Sequence, residues 1–179
     1  MSEAPRTVVV MGVSGTGKTS VATPLARKLG WTFLEGDDLH PDQNVAKMSA
    51  QIPLTDEDRW PWLRAIGAAI LTEHAAGRSV VVTCSSLRRA YRDVLREADP
   101  EIVFVHLTGK PGIIMSRMAS REHFMKPAML QSQLDTLEPP AADERHVTVD
   151  ISASRAEVNE AVTEKLAELE TATGQHATP

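Results

Sequence analysis

The sequence predicts an α/β fold, a parallel sheet of five strands with helices packed on its faces. Three observations point there. Short Val- and Ile-rich runs alternate along the chain with stretches of helical periodicity, the pattern of strands joined by crossover helices. A glycine-rich turn, GVSGTGKTS, follows the first run directly. The second run ends in a knot of acids, EGDDLHP, at the edge where parallel sheets bind their ligands.

Thr7 to Met11, Ser79 to Thr83 and Ile102 to Leu107 read as buried strands, being short, apolar and bounded by turn or polar residues. Trp31 to Leu34 and His146 to Ile151 complete the five. Between them, Leu87, Tyr91, Val94 and Leu95 follow helical spacing, with Ser85 or Ser86 in place to cap. Thr55 followed by Asp56, Glu57 and Asp58 reads as a helix start with its acids where the helix dipole favours them. Val158, Ala161, Val162, Leu166 and Leu169 form a last helix, opened by a Ser154–Glu157 capping box. Pro24 breaks the pattern inside the first predicted helix, where a proline kinks the helix or costs ~3 kcal/mol. Residues 1–170 are expected to form one domain, and the polar, aperiodic TATGQHATP (171–179) a disordered tail.

Composition narrows the function. The chain has 179 residues, 42% hydrophobic and 24% charged, which suits one soluble domain with a real core. With 19 basic against 24 acidic residues the net charge is −5, which argues against nucleic acid or an anionic membrane as the main partner. Cys84 is the single cysteine, so no intrachain disulfide can form and a reducing compartment fits. No apolar run approaches the ~20 residues of a membrane span, and MSEAPRT passes straight into VVVMG with no secretory pattern. A cytoplasmic protein is the expectation.

Gly12-x-x-x-x-Gly17-Lys18-Thr19 matches the P-loop pattern and lies between an apolar strand and a helix, as the motif requires. Glycines let backbone N–H groups curl around a polyphosphate, and the helix N-terminus adds partial positive charge. Gly12, Val13, Ser14, Gly15, Thr16, Gly17, Lys18, Thr19 and Ser20 are therefore the candidate nucleotide-binding residues. Lys18 is placed to reach the β- and γ-phosphates and the Thr19 hydroxyl to ligate Mg²⁺. No Asn-Lys-x-Asp or DxxG is present, and VVVTCSS carries no aspartate after the third strand. A GTPase switch or a motor-type ATPase is thus disfavoured against phosphoryl transfer to a small acceptor.

The carboxyl end of the second strand places Glu35, Asp37, Asp38 and His40 across the crevice from this loop. A carboxylate there can take the proton of an attacking hydroxyl, and others can hold a polyol's hydroxyls or water on Mg²⁺. Arg59, in the first turn of its helix, and Arg88 and Arg89 after the third strand stand against the dipole preference. Arg88, Arg92 and Arg96 recur every four residues, which is either a solvated basic face or a set of contacts for an acceptor carboxylate.

With these residues in view the chain resembles the gluconokinase family along nearly its whole length. The matching segments are GVSGTGKTS, EGDDLHPDQNVAKMS with PLTDEDRWPWL, CSSLRRAYRDVLR, RMASREHFM, SQLDTLEPPAADE and VDIS. The resemblance implies a nucleoside-monophosphate-kinase-like, three-layer P-loop kinase fold, commonly a homodimer. It implies ATP- and Mg²⁺-dependent transfer to the 6-hydroxyl of D-gluconate. It assigns Asp37 as base, Lys18 and Arg121 to the transferring group, and Thr19 with water held by Glu35 to Mg²⁺. His40, Arg59, Arg88 and Arg92 become acceptor contacts, and residues 117–133 a helical lid with Arg117 near the adenine. Two departures stand out: Gln51 where the family usually has a glycine, and REHFM one residue short of the usual lid pattern. Gln51 is thus expected at a positive φ that glutamine adopts only with strain. The competing expectations are a kinase for another small polyol acid such as shikimate, or a nucleotide-binding regulator or slow ATPase without transfer.

Overall fold

The computed structural model describes residues 4–119 and 126–175. Strand β1 (Thr7–Met11) leads through the glycine-rich loop into helix α1 (Lys18–Leu29). Then follow β2 (Thr32–Glu35), a 3₁₀ turn over Gly36–Leu39, α2 (Asp42–Ser49) and α3 (Asp56–Ala75). The second half runs β3 (Val80–Thr83), α4 (Arg89–Ala98), β4 (Val103–Thr108), α5 (Pro111–Ala119), α6 (Pro127–Thr136), β5 (His146–Asp150) and α7 (Arg155–Gln175). All five predicted strands are present, each within a residue or so of its expected limits.

The strands form one parallel sheet in the order β2-β3-β1-β4-β5. The central strands β1, β3 and β4 are apolar and buried along almost their whole length, as strands covered by helices on both faces must be. Because the chain steps from β1 to one side of the sheet and later crosses to the other, the loop after β1 sits at the topological switch point. The register places Glu35 opposite Thr83, and Thr83 opposite Val10, so β1, β2 and β3 end at one level.

Three local expectations met different outcomes. The Thr55 cap is a full capping box, its hydroxyl accepting from Asp58 N at 3.2 Å while Thr55 N donates to the Asp58 carboxylate at 2.9 Å. The Ser154–Glu157 box closes in the same way. The predicted serine cap of α4 does not form. Ser86 takes φ 49 and turns the chain, Leu87 is buried in the core as loop, and the helix starts at Arg89. Its first N–H, that of Arg89, donates instead to the Glu138 carboxylate at 2.8 Å, a cap brought in from 49 residues away.

Helix α1 runs through Pro24 without a break; the proline is half-exposed. Helix α7 continues to Gln175, five residues into the segment expected as tail. There Thr171 and Thr173 turn their hydroxyls back to the carbonyls of Ala167 and Leu169, at 2.9 and 2.8 Å, which suits a polar turn to helix. Of the expected lid, Arg117 lies in the last turn of α5 and residues 127–133 belong to α6, while Arg121 and the REHFM motif lie outside the described residues.

Candidate active site

The phosphate loop is built by backbone shape. Gly12 (φ 147) and Gly15 (φ 87) occupy the positive-φ region that side chains rarely adopt. A Cβ on Gly12 would stand 2.7 Å from the Leu107 carbonyl oxygen, and one on Gly15 would stand 2.4 Å from the Met118 side chain. The curl ends at Gly17, where α1 begins with no side-chain cap and no acid in its first turn. The N–H groups of that turn therefore point out of the helix as an anion site. Lys18 Nζ lies over the loop, donating to the Gly12 and Val13 carbonyls at 3.1 and 3.2 Å.

Beside it, the Thr19 hydroxyl donates to Glu35 Oε2 at 2.7 Å. The other Glu35 oxygen accepts from the Thr83 hydroxyl, which in turn accepts from Gly36 N at 3.0 Å. Thr83 thus fixes the Glu35 carboxylate from the neighbouring strand. A hydroxyl and a carboxylate converging in this way are hard oxygen donors that fit Mg²⁺. Among the described residues no group of three or more His, Cys, Asp or Glu gathers.

Two clefts flank the loop. One is lined by Gly15, Gly17, Ser20, Arg117 and Arg155. Here Arg117 donates to the carbonyls of Ile151 and of Ala153, the latter at 2.9 Å, so that its guanidinium is anchored to the β5–α7 turn. The other cleft, about 780 Å³ including its open mouth, is lined by Lys18, Ser14, Asp37, His40, Gln51 and Arg59, among others. Lys18 is thus shared between the phosphate loop and the second cleft.

In this second cleft the Asp37 side chain is 72% exposed, whereas that of His40 is only 3% exposed. The His40 ring stacks on Trp62 at 4.0 Å, and Trp62 Nε1 donates to the Gly36 carbonyl at 2.8 Å. Asn44, fully buried, donates from its amide to His40 Nδ1 at 3.3 Å and to the Asp58 carbonyl at 2.8 Å. With Nδ1 accepting, the ring proton sits on Nε2, the nitrogen 3.9 Å from Asp37 Oδ1. Burial pushes the His40 pKa down, Asp37 works against that shift, and Arg59 adds to it.

Arg59 reaches the same cleft from the first turn of α3. It donates to the Tyr91 hydroxyl at 3.0 Å and lies over the Tyr91 ring. The Tyr91 hydroxyl donates to Asp56, whose second oxygen takes Arg88 at 3.2 Å. Arg88 therefore stands one layer back, on Asp56, and outside the residues that line the cleft.

Arg92 requires a correction. Its side chain and that of Glu144 are each 1% exposed, and the two form a fork with bonds of 2.8 and 2.9 Å. Its remaining donors hold the Ser86 and Glu138 carbonyls. Burial would raise the Glu144 carboxyl, but the hydrogen bonds from Arg92 and Arg96 overcome it and hold the pKa at about 2. Arg92 is a structural staple under the α4 turn and cannot offer its fork to an acceptor. The four-residue arginine spacing is neither a wet face nor a binding stripe.

Four residues here escaped the sequence reading: Thr83, Asn44, Gln133 and Arg155. Gln133 binds the phosphate loop, its carbonyl accepting from Ser14 N at 2.7 Å and its amide donating to Ser14 Oγ at 3.1 Å. It lies in the quoted segment SQLDTLEPPAADE, which was the available signal. Cys84 is buried, its thiol pushed up to about 11 by burial, and it contributes no nucleophile.

The shikimate kinase family model matches residues 14–171. A gluconokinase of Gluconobacter oxydans is 53% identical over 146 residues, covering 81% of this chain and 82% of that relative. The chain belongs to the gluconokinase family. The thermoresistant gluconokinase of Escherichia coli K12 is 44% identical over 142 residues, 79% of this chain and 81% of its own. The crystal structure of a gluconokinase from Sinorhizobium meliloti superposes with a TM-score of 0.89 at 46% identity, covering 98% of this chain and 99% of that one.

Proposed function

We infer that this protein transfers the γ-phosphoryl group of ATP to the 6-hydroxyl of D-gluconate, giving 6-phospho-D-gluconate. The observation that carries the reading is that Lys18 of the phosphate loop lines the same cleft as Asp37, His40 and Arg59. A polyol carboxylate seated there meets a base, a neutral imidazole N–H and an anchored guanidinium, in a site open to the phosphate loop. Asp37 takes the proton of the attacking hydroxyl and orients it. Lys18 stabilises negative charge on the transferring group, and Arg121 is proposed to assist it. Arg59 pairs with the acceptor carboxylate, with Arg88 supporting it through Asp56. Arg117 belongs to the adenine end, and Thr19, with water on Glu35, holds Mg²⁺, whose charge neutralises the phosphate oxygens.

The shikimate kinase model favours shikimate as the competing acceptor, since it spans most of the chain. The decisive test is ADP release with ATP and Mg²⁺ in the presence of D-gluconate, its stereoisomers or shikimate. Stimulation by D-gluconate alone is expected. Stimulation by shikimate alone transfers the assignment to that acid, and hydrolysis indifferent to every acid leaves a slow ATPase. A cytoplasmic homodimer is proposed on the same resemblance; sedimentation at twice the 19.5-kDa chain mass is the expected result.

A further inference from the structure

Gln51 carries φ 59, one of two non-glycine residues with positive φ among those described. It closes α2 as the left-handed residue of a Schellman turn: Gln51 N donates to Met48 O at 3.1 Å and Ile52 N to Lys47 O at 2.9 Å. Glycine fills this position in most such turns, because a β-carbon there is strained. Strain of this kind persists only where the surrounding structure holds it in place.

The side chain reaches across the cleft. Gln51 Oε1 accepts from the backbone N–H of Lys126 at 3.3 Å, a contact spanning 75 residues of sequence. Lys126 is the N-cap of α6 and no side chain caps that helix locally. Helix α6 is one wall of the acceptor cleft through Met129, Ser132 and Gln133, and Gln51 lines the same cleft. Two turns further along, Gln133 is bonded to Ser14 of the phosphate loop. The wall is therefore fastened at two points, by Gln51 to the arm running from His40 through α2, and by Gln133 to the loop.

We propose that Gln51 is a positioning residue for the acceptor, its amide fastening the first turn of α6 against the arm that carries His40. This rests on the acceptor reading of the cleft given above. A Gln51→Ala variant keeps the strain and loses the fastening, Gln51→Gly loses both, and Gln51→Glu keeps an oxygen acceptor on a chain of the same length. Two readouts on the full-length protein separate the possibilities. Amide hydrogen exchange at Lys126 is expected to quicken by roughly 3–10-fold in the Ala and Gly variants and to stay near wild type in Glu, the scale of one net hydrogen bond. The KM for D-gluconate is expected to rise by a similar ~3–10-fold in Ala and Gly, with kcat and the KM for ATP within about twofold.

Gln51→Gly is also expected to melt roughly 1–4 °C above Gln51→Ala, since both lose the bond and only glycine releases the strain. Two variants that differ in stability yet share the same weaker hold on the acceptor separate positioning from stability. Unchanged Lys126 exchange in Gln51→Ala overturns the fastening, and an unchanged D-gluconate KM with faster exchange overturns its role in acceptor binding. If wild type does not turn over D-gluconate, the functional reading fails instead, and the exchange experiment still decides whether Gln51 fastens α6.

Discussion

The phosphate loop and the proposed acceptor cleft lie side by side and are built on opposite plans. The loop is nine consecutive residues whose shape, set by Gly12 and Gly15, turns backbone N–H groups to one point beside the Lys18 and Thr19 side chains. The cleft is made of side chains from the turn after β2, from α3 and from α6, brought together by sheet topology. A site made of backbone is robust to most side-chain changes and shows itself as one contiguous motif. A dispersed site can be altered one side chain at a time, and each alteration should leave the loop intact.

The largest effect expected on that contrast comes from Asp37→Asn. With the proposed base removed and shape preserved, kcat should fall by ~10²–10⁴ while ATP affinity stays near wild type. Isothermal titration with a non-hydrolysable ATP analogue, run beside steady-state rates, reads both. Retention of wild-type turnover would remove Asp37 from the chemistry, and a parallel loss of nucleotide affinity would show that the two sites are not separable.

Arg92→Met sharpens the boundary of the cleft from outside. It leaves Glu144 buried beside Arg96 alone, and breaking a buried pair costs roughly 3–5 kcal/mol, here toward the lower figure because Arg96 still reaches that carboxylate. Urea denaturation should record the loss, with the D-gluconate KM of the folded protein within about twofold of wild type. Full stability with a selectively weakened acceptor would return Arg92 to the binding site. Arg59→Met is the mirror case: a KM increase of ~10–100-fold, the scale of a charged hydrogen bond, with stability little changed.

What could be read from the sequence follows the same division. The limits of β1 and the whole phosphate loop were legible because a buried parallel strand and a glycine-rich turn are local patterns. Asp37, His40 and Arg59 were legible as a set because their strand and helix ends carry unusual charge, and Gln51 because a side chain stood where the turn wants glycine. Arg92 was misread since its partner, Glu144, lies 52 residues on and meets it only after β4 has crossed the sheet. The Ser85 or Ser86 cap failed for a related reason, the tertiary carboxylate of Glu138 having displaced a local one. Thr83, Asn44 and Gln133 carry no charge to attract notice, and their partners are set by strand register and by helix docking.

The smallest effect expected is the dependence of acceptor binding on pH through His40. Its ring is buried on Trp62, and Asn44 presents an N–H to Nδ1, so a proton added at Nδ1 would face a donor. Burial lowers the pKa below the ordinary 6.5, against the pull of Asp37 and with the help of Arg59. A histidine held neutral in this way stabilises the fold fully above about pH 6.5 and loses that contribution as pH falls through the depressed value. The acceptor should follow the same course, because protonation disturbs the Asn44 bond that fixes the ring. At pH 6.5 less than half the rings are protonated, so the D-gluconate KM should rise by less than about twofold from pH 8 and climb more steeply below. The imidazole carbon resonance of His40, followed by NMR from pH 8 to 5, gives the titration directly, and His40→Gln should flatten the acid limb of the KM profile. A midpoint above 6.5 would mean that the Asp37 carboxylate outweighs burial, tying the histidine electrostatically to the base rather than to the core.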